Sequence, residues 1–451
     1  MTILTMLRNA AARRLAVLAG VGSALLMAMP AAQAVPSYAR QTGSECAACH
    51  VGGFGPQLTP YGIKFKINGY TDSDGKDGKT PLSAMLVVNA THTDKDAPVA
   101  DKVDHFSRND NVAMQEASLF LAGRLSDNIG TFVQVTYSGV DRATSLDQAD
   151  LRYARSLKLG DKEMTVGLSL NTNPTLTDPF NTLGQWRFPY TASDFNAGFG
   201  PSPMVENLGG GVMGANVYAF YDDSIYAELG LYDSLSKKSL SIFNTDDIGK
   251  FKGVGTYGRL AYFKDRKRDN FSVGLLGFSA DIQPDRANLG VADKYRDLGV
   301  DAQYQYLGNR QHIFTVNASY VKEWQRLDYT LAGSGSTHAY LDQFRLAGSY
   351  HYDQTWGGTV GFFDSRGKTN ATLNPDSLSG RPNTAGYILQ ADWTPWGKEN
   401  SWGAPWANVR LGLQYTGYTR FMGGSTYTDA DGNPRRARDN NTTMLFLWTS
   451  I

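Results

Sequence analysis

The sequence is poor in cysteine, in long hydrophobic runs and in net charge. Its 451 residues include only 2 Cys, and the 43 Lys and Arg residues are balanced by 43 Asp and Glu residues. After residue 34 no apolar run reaches the roughly 20 residues that a membrane-spanning helix needs. These absences exclude a helical membrane protein, a disulfide-rich scaffold and a strongly basic nucleic-acid-binding protein.

Aromatic residues and glycine, by contrast, are plentiful. The chain has 24 Tyr, 21 Phe, 8 Trp and 48 Gly, while only 41% of its residues are hydrophobic. That fraction is below the roughly 45 to 50% apolar content that is usual in globular proteins. The composition favours either several soluble β domains or one large β structure in which apolar and polar residues alternate.

The first 34 residues have the features of an export signal. Arg8, Arg13 and Arg14 precede an apolar stretch that ends at Met29, and Ala34 closes an A-Q-A cleavage site. The stretch is short for a retained membrane anchor, so we expect residues 1–34 to be removed. The mature chain is then slightly acidic and exported to the periplasm or beyond, and nothing indicates a nucleic-acid partner.

Both cysteines belong to one motif, C-A-A-C-H at residues 46–50. Covalent attachment of a c-type haem needs two thiols separated by two residues and a histidine directly after them, which binds the iron. The motif predicts one haem c, attached to Cys46 and Cys49, with His50 as an axial ligand of the haem iron. A redox-active dithiol would need a βαβ setting, and a zinc site would need further Cys or His residues nearby. The sequence indicates neither of these.

The motif lies in a segment, residues 35–79, that is close to the lower size limit for independent folding. Residues 51–84 contain no Met or His that could bind the second axial position of the iron. We therefore expect the rest of the chain, residues 80–451, to complete the surroundings of the haem.

Residues 80–451 alternate between apolar and polar side chains. In one such stretch Val409 and Leu411 alternate with Asn408 and Arg410. This period of two predicts strands with one apolar face, and about 16 strands can be placed between residues 82 and 451. Short connections alternate with long ones, as periplasmic turns and outer loops do in transmembrane barrels.

The predicted fold is therefore all-β, a 16-stranded antiparallel, porin-like outer-membrane β-barrel preceded by a short c-type cytochrome segment. If the first strand starts at the periplasm, the long connections lie outside. Six tryptophans then gather at the periplasmic rim as an aromatic girdle: Trp356, Trp393, Trp396, Trp402, Trp406 and Trp448. A secreted protein with several β-sheets is the alternative.

The N-terminal segment resembles a known family. Besides the C-x-x-C-H motif, it contains Y-A-R-Q-T-G at 38–43, L-T-P-Y-G at 58–62, F-K at 65–66 and G-Y-T at 69–71. This pattern resembles the start of the outer-membrane fused monohaem cytochrome-porins, the proposed iron oxidases of iron-oxidising bacteria. Gln57 departs from it, because an acidic residue is expected beside Leu58.

The resemblance implies a function as an electron conduit. Electrons would pass from an extracellular donor, Fe(II) in the family, through the haem to periplasmic cytochromes or other carriers, as in an iron:cytochrome oxidoreductase. It also implies a place in the outer membrane of a Gram-negative bacterium, in contact with lipid, with the haem segment in the lumen or at its periplasmic mouth. The alternatives are a conduit for another donor, a diffusion porin with a haem-bearing plug, and a haem enzyme.

Strand parity predicts candidates for the sixth iron ligand. Met85 and His351 face the lumen near the periplasmic end, whereas His312 and Met164 face lipid. A Met ligand gives a higher reduction potential than a second His. Met85 is therefore the first candidate and His351 the second, and an open or water-ligated iron is the third alternative.

The connection 172–204 is long and rich in aromatic residues. General porins fold a long outer loop into the lumen, which predicts a constriction or a wall over the haem. An aromatic loop that stays outside the barrel is the alternative.

Overall fold

The computed structural model describes residues 36–451 apart from 77, 288, 334, 399–400 and 404–405. The predicted export signal lies outside the described residues. What is described consists of a short helical segment followed by a large β-barrel.

The N-terminal segment contains the helices α1 (Pro36–Thr42), α2 (Cys46–Cys49) and α3 (Pro60–Ile67). Thr59 caps α3 by accepting a hydrogen bond from the Gly62 N–H, and Pro60 occupies the first turn, where its missing N–H costs nothing. A fourth helix, α4 (Lys237–Phe243), lies between two later strands. No helix in the described part of the chain combines the length and the apolar character that a membrane span requires.

Most of the described chain is β-strand. The strands are β1 (Leu82–Thr93), β2 (Asn111–Arg124), β3 (Ile129–Ser138), β4 (Ala143–Leu159), β5 (Lys162–Asn171), β6 (Val212–Tyr221), β7 (Ile225–Ser234), β8 (Lys250–Phe251), β9 (Gly255–Asp265), β10 (Asp269–Gln283), β11 (Asp293–Tyr306), β12 (His312–Arg326), β13 (His338–Tyr352), β14 (Trp356–Gly367), β15 (Thr384–Trp393), β16 (Asn408–Arg420), β17 (Thr426–Thr428), β18 (Pro434–Arg436) and β19 (Thr442–Ser450).

The strands pair antiparallel with their neighbours in sequence, and β19 pairs with both β16 and β1. That last pairing closes the sheet. Within the described residues 16 strands form the wall, while β8 is a two-residue addition to β10 and β17 pairs with β18 in a separate hairpin. The predicted 16-stranded antiparallel barrel is confirmed.

The two ends of the barrel differ in their connections. At one end, the turn end, strands are joined mostly by tight turns such as 160–161 and 266–268. At the other, the loop end, most connections are long, and the longest is 172–211. The connection 394–407 is an exception, because it is long but lies at the turn end.

The barrel wall is apolar outside and polar inside. Leu119 and Leu229 point outward with 67% and 68% of their surface exposed, whereas Asp301 and Gln305 point inward and are buried. Alternation of this kind, with the apolar side chains on the outer face, is characteristic of barrels that lie in a membrane. The outside is therefore a surface suited to contact with lipid.

The predicted aromatic rim is correct in part. Trp356 and Trp393 are exposed on the wall near the turn end, with ring centroids 5.9 Å apart, and Trp396 contacts Trp402 in the connection 394–407. The prediction is wrong for Trp448, which is buried. Its ring packs against Phe54, with 5.0 Å between the two ring centroids. Strand register turns its side chain into the lumen, toward the N-terminal segment.

The lumen is occupied by two pieces of chain. The N-terminal segment lies inside the turn end, where Asn408 donates a hydrogen bond to the Gly53 carbonyl and Gln354 accepts one from the Gly52 N–H. The connection 172–211 folds inward, and its Phe180 packs with Ile63 of α3 in one buried cluster. Of the two interpretations of this connection, the structure supports the inward constriction.

Candidate functional site

The two cysteines lie one helical turn apart on α2. Positions three apart face the same side of a helix, and neither thiol is joined in a disulfide. Burial raises the pKa of Cys46 to about 11 and that of Cys49 to about 12. A redox-active dithiol depends on a lowered thiol pKa, so these surroundings are opposite to those of a thioredoxin-like site.

The L-T-P-Y-G sequence packs directly on the cysteine motif. The Thr59 hydroxyl donates to the Ala48 carbonyl at 2.5 Å, and the Thr59 N–H donates to the Cys49 carbonyl at 2.9 Å. Gly62 lies so close that a β-carbon there would be 2.4 Å from the Cys49 carbonyl oxygen. The two motifs are therefore in direct contact, and this contact joins α2 to the start of α3.

His50 follows α2 and lies partly buried. Its Nδ1 has no hydrogen-bond partner among the described residues. Burial, followed by the positive charge of Arg410, lowers the pKa of His50 to about 4. The imidazole is therefore neutral near pH 7, which is the form that binds a metal ion.

Cys46, Cys49 and His50 line a cavity of about 940 Å³ in the lumen. This volume is at the upper end of the range of ligand pockets, about 300 to 1,000 Å³. The lining also includes Asp141 and Asp246, which belong to connections at the loop end. The cavity therefore extends along the barrel from the C-A-A-C-H segment toward the loop end.

Met85 lines the same cavity. Its side chain is partly buried between two clusters, one containing Phe65 and Phe120 and the other Phe54 and Trp448. The structure thus brings the first candidate for the sixth ligand to the cavity that borders the cysteine motif.

His351 occupies a different place. It is buried in a separate small pocket with Asp392 and Arg410, and its ring lies against the backbone of Gly52, where a β-carbon would be 2.6 Å from the imidazole. His351 is therefore near the C-A-A-C-H segment but does not line the large cavity. Met85 and His351 therefore border different cavities, which share Phe54 and Pro56 in their linings.

The large cavity has an acidic lining. Two basic residues line it, Lys66 and Arg187, against six carboxylates: Glu45, Glu116, Asp141, Asp147, Glu206 and Asp246. Two of the carboxylates are already paired, Glu116 with Arg187 and Glu206 with Arg345. In the described part of the chain no three His, Cys, Asp or Glu side chains are grouped so as to hold a metal ion. The lining can attract a cation by its overall field.

Lys66 joins the N-terminal segment to the inward connection. Its Nζ donates to the Asp178 carbonyl and to Asn181 Oδ1, both at 2.7 Å, and the Asn181 amide donates to the Pro56 carbonyl at 2.8 Å. Burial, with help from the nearby Arg152, lowers the pKa of Lys66 to about 7. The N-terminal segment is thus held by the inward connection as well as by the barrel wall.

Arg152 and Arg259 support this junction from the wall. Arg152 Nε donates to Asp150 at 2.7 Å, and its Nη1 and Nη2 donate to the carbonyls of Lys66 and Thr177. Arg259 forms two ion pairs, one with Asp178 at 3.0 Å and one with Asp301, a wall residue on β11. Sequence analysis missed this network. The available signal was a pair of opposite charges, Asp150 and Arg152, two apart on the lumen face of β4.

Several solved structures are similar to this barrel. Salmonella typhi OmpF in complex with daunomycin is 12% identical, with a TM-score of 0.46, and the match covers 82% of this chain and 97% of that chain. An anion-selective porin from Comamonas acidovorans is 12% identical, with a TM-score of 0.43 and coverage of 82% and 98%. The outer membrane channel DcaP of Acinetobacter baumannii is 12% identical, with a TM-score of 0.42 and coverage of 82% and 96%. No family model and no curated protein matches the chain.

Proposed function

We propose that this chain is an outer-membrane electron conduit of the fused monohaem cytochrome-porin type. It takes electrons from an extracellular donor, Fe(II), through one covalent haem c to a periplasmic carrier. The observation that carries the proposal is the place of the C-A-A-C-H segment, which lines a lumen cavity reaching the loop end. A donor can then approach the motif without crossing lipid.

The barrel supports the proposed location and orientation. An apolar outer face and a polar lumen suit the outer membrane, and the predicted export signal suits a path to it. Tight turns are periplasmic in such barrels and long loops are external. The turn end, which holds the N-terminal segment, is therefore periplasmic, and the motif lies close to soluble electron carriers.

The residues of the site fit a covalent haem. Cys46 and Cys49 share one face of α2 and border the cavity, and they would hold the group by thioether bonds. His50, neutral and with Nδ1 unpartnered among the described residues, would bind the iron on one side. When bound, a haem supplies a centre that accepts and releases one electron. The chain's own contribution is to hold this centre in the lumen and to limit its contact with water.

Met85 is our proposed ligand on the other side of the iron. We expect Met85→Ala to lower the reduction potential and to shift the absorption spectrum of the haem, because a thioether ligand favours the reduced iron. Potentiometric titration with optical detection measures both quantities. His351→Ala is the matched comparison, since His351 also faces the lumen but lies in the separate pocket.

Two results would contradict the assignment of Met85. One is an unchanged spectrum in Met85→Ala. The other is a spectral change in His351→Ala like that expected for Met85→Ala, which would transfer the sixth position to His351. Retention of haem in each variant is checked by its covalent stain after denaturing electrophoresis.

The acidic lining favours a small cation as the electron donor. Cations are concentrated in a cleft with a negative field, and the effect weakens as salt increases. Fe(II) is therefore a better match to this cavity than an anionic reductant.

Reduction kinetics in sealed outer-membrane vesicles test the proposal. Fe(II) added outside should reduce the haem rapidly, and an anionic reductant of similar potential should reduce it more slowly. Added salt should make the two reduction rates more similar. Asp147→Asn should slow reduction by Fe(II) while leaving reduction by a neutral reductant unchanged. Haem that external Fe(II) does not reduce, together with rapid solute flux, would instead establish a diffusion porin with a haem-bearing plug.

A further inference from the structure

Arg410 is a buried cation that lies against the chain directly after His50. Its Nη2 donates to the Phe54 carbonyl at 3.3 Å, and its guanidinium carbon is 5.1 Å from the centre of the Phe54 ring. Nη2 is also 3.1 Å from the place where a β-carbon on Gly52 would stand. The guanidinium thus lies along residues 52–54, within a few residues of the predicted iron ligand.

The charge of Arg410 is only partly balanced. Its closest approach to Asp392 is 3.6 Å from Nε to Oδ2, which is too long for a hydrogen bond, while Nε donates weakly to Thr394 at 3.4 Å. The Arg410 side chain is 8% exposed and that of Asp392 is 2% exposed. Charges in such a place are weakly screened, so they act over longer distances than surface charges do.

A fixed charge near a redox centre changes its potential in a direction set by its sign. The oxidised form of a haem carries one more positive charge than the reduced form. A cation close by therefore favours the reduced form and raises the potential, and an anion lowers it. Burial increases both effects because water no longer screens the charges.

We propose that Arg410 raises the reduction potential of the haem held at Cys46, Cys49 and His50, and that Asp392 limits this increase. Arg410 is in this view a tuning residue, which acts on the haem through its charge and does not itself bind the iron. The inference rests on the proposed function only in requiring a haem at this motif. It adds the residue pair that sets how readily the centre accepts an electron.

Opposite charge changes within the pair test the proposal. The variants are Arg410→Met, Arg410→Lys, Asp392→Asn and the double variant Arg410→Met/Asp392→Asn, each titrated potentiometrically as the full haem-loaded chain. We expect Arg410→Met to lower the ratio of reduced to oxidised haem at a fixed potential about tenfold, which is about 59 mV for one electron. Asp392→Asn should change the ratio in the opposite direction, Arg410→Lys should stay close to the wild type, and the double variant should lie between the two single variants.

An exposed ion pair serves as the control. Lys162 and Asp222 lie at the turn end 2.6 Å apart, with side chains 51% and 43% exposed, and Lys162→Met or Asp222→Asn should leave the potential unchanged. A purely structural role for Arg410 predicts that Asp392→Asn does not raise the potential, and that result overturns the proposal. If Arg410→Met fails to fold, the reduction potentials of Asp392→Asn and Arg410→Lys test the proposal without it. A wild-type chain without haem would refute the proposed function, whereas haem with unchanged potentials refutes only this inference.

Discussion

Replacement of both Cys46 and Cys49 by serine should abolish covalent haem and leave the barrel folded. The two thiols are the only cysteines of the chain, so no other thioether can form. The barrel wall is closed by pairing of β19 with β1, and neither strand depends on the cysteine side chains. Haem stain after denaturing electrophoresis should be lost, while the change of mobility on heating, which reports a folded barrel, should persist.

Single variants provide the matched control for the cysteine pair. Cys46→Ser and Cys49→Ser each keep one thiol, so each should retain a reduced amount of covalent haem with an altered spectrum. Ser44→Ala, close to the motif but outside it, should behave like the wild type. Covalently bound haem that is still detected in the double variant would contradict the haem assignment. A wild-type chain that lacks haem and contains a Cys46–Cys49 disulfide would contradict it as well.

Arg152→Met should loosen the contents of the lumen. Arg152 is fully buried, pairs with Asp150 and donates to the carbonyls of Lys66 and Thr177. Its removal leaves a buried carboxylate without its cation, which costs about 3 to 5 kcal/mol. The wall has its own hydrogen-bond ladder, so we expect the loss to appear as local opening of the N-terminal segment and of the inward connection. Protease digestion of vesicles and conductance in planar bilayers should both increase.

Two further variants separate this effect from a general loss of charge. Asp150→Asn/Arg152→Met removes both partners, so it should be less damaging than Arg152→Met alone. Lys162→Met breaks only the exposed pair with Asp222, whose attraction is screened by solvent, and should change neither digestion nor conductance. Equal protease resistance in Arg152→Met and the wild type would show that the buried network does not hold the lumen closed.

The barrel could be predicted from the sequence because its main constraint is local and repeated. Each strand must present apolar residues to one side and polar residues to the other, and this requirement is visible at Val409 and Arg410 without any knowledge of their neighbours. Trp448 shows the limit of this reasoning. The predicted orientation of the barrel places it in the periplasmic aromatic girdle, yet it packs inward on Phe54, which lies near the other end of the chain.

The candidate site was predictable only where its chemistry is local. Cys46, Cys49 and His50 follow from spacing alone, because covalent attachment requires those groups in that order. The ranking of Met85 above His351 rests on the potential that each ligand would give and not on position, since strand parity says which side chains face the lumen but not which of them border the same cavity. The structure separates them, with Met85 on the large cavity and His351 behind Gly52.

The amino-acid sequence by itself determined the alternating barrel wall, and it predicts haem attachment at the C-A-A-C-H motif, since both depend on residues close together along the chain. Tertiary structure alone decided what fills the lumen. The inward course of 172–211, the junction at Lys66 and the position of Arg410 beside the segment after His50 all join residues more than 100 positions apart. Such contacts depend on strand register and on closure of the sheet, so they exist only once the whole barrel has formed.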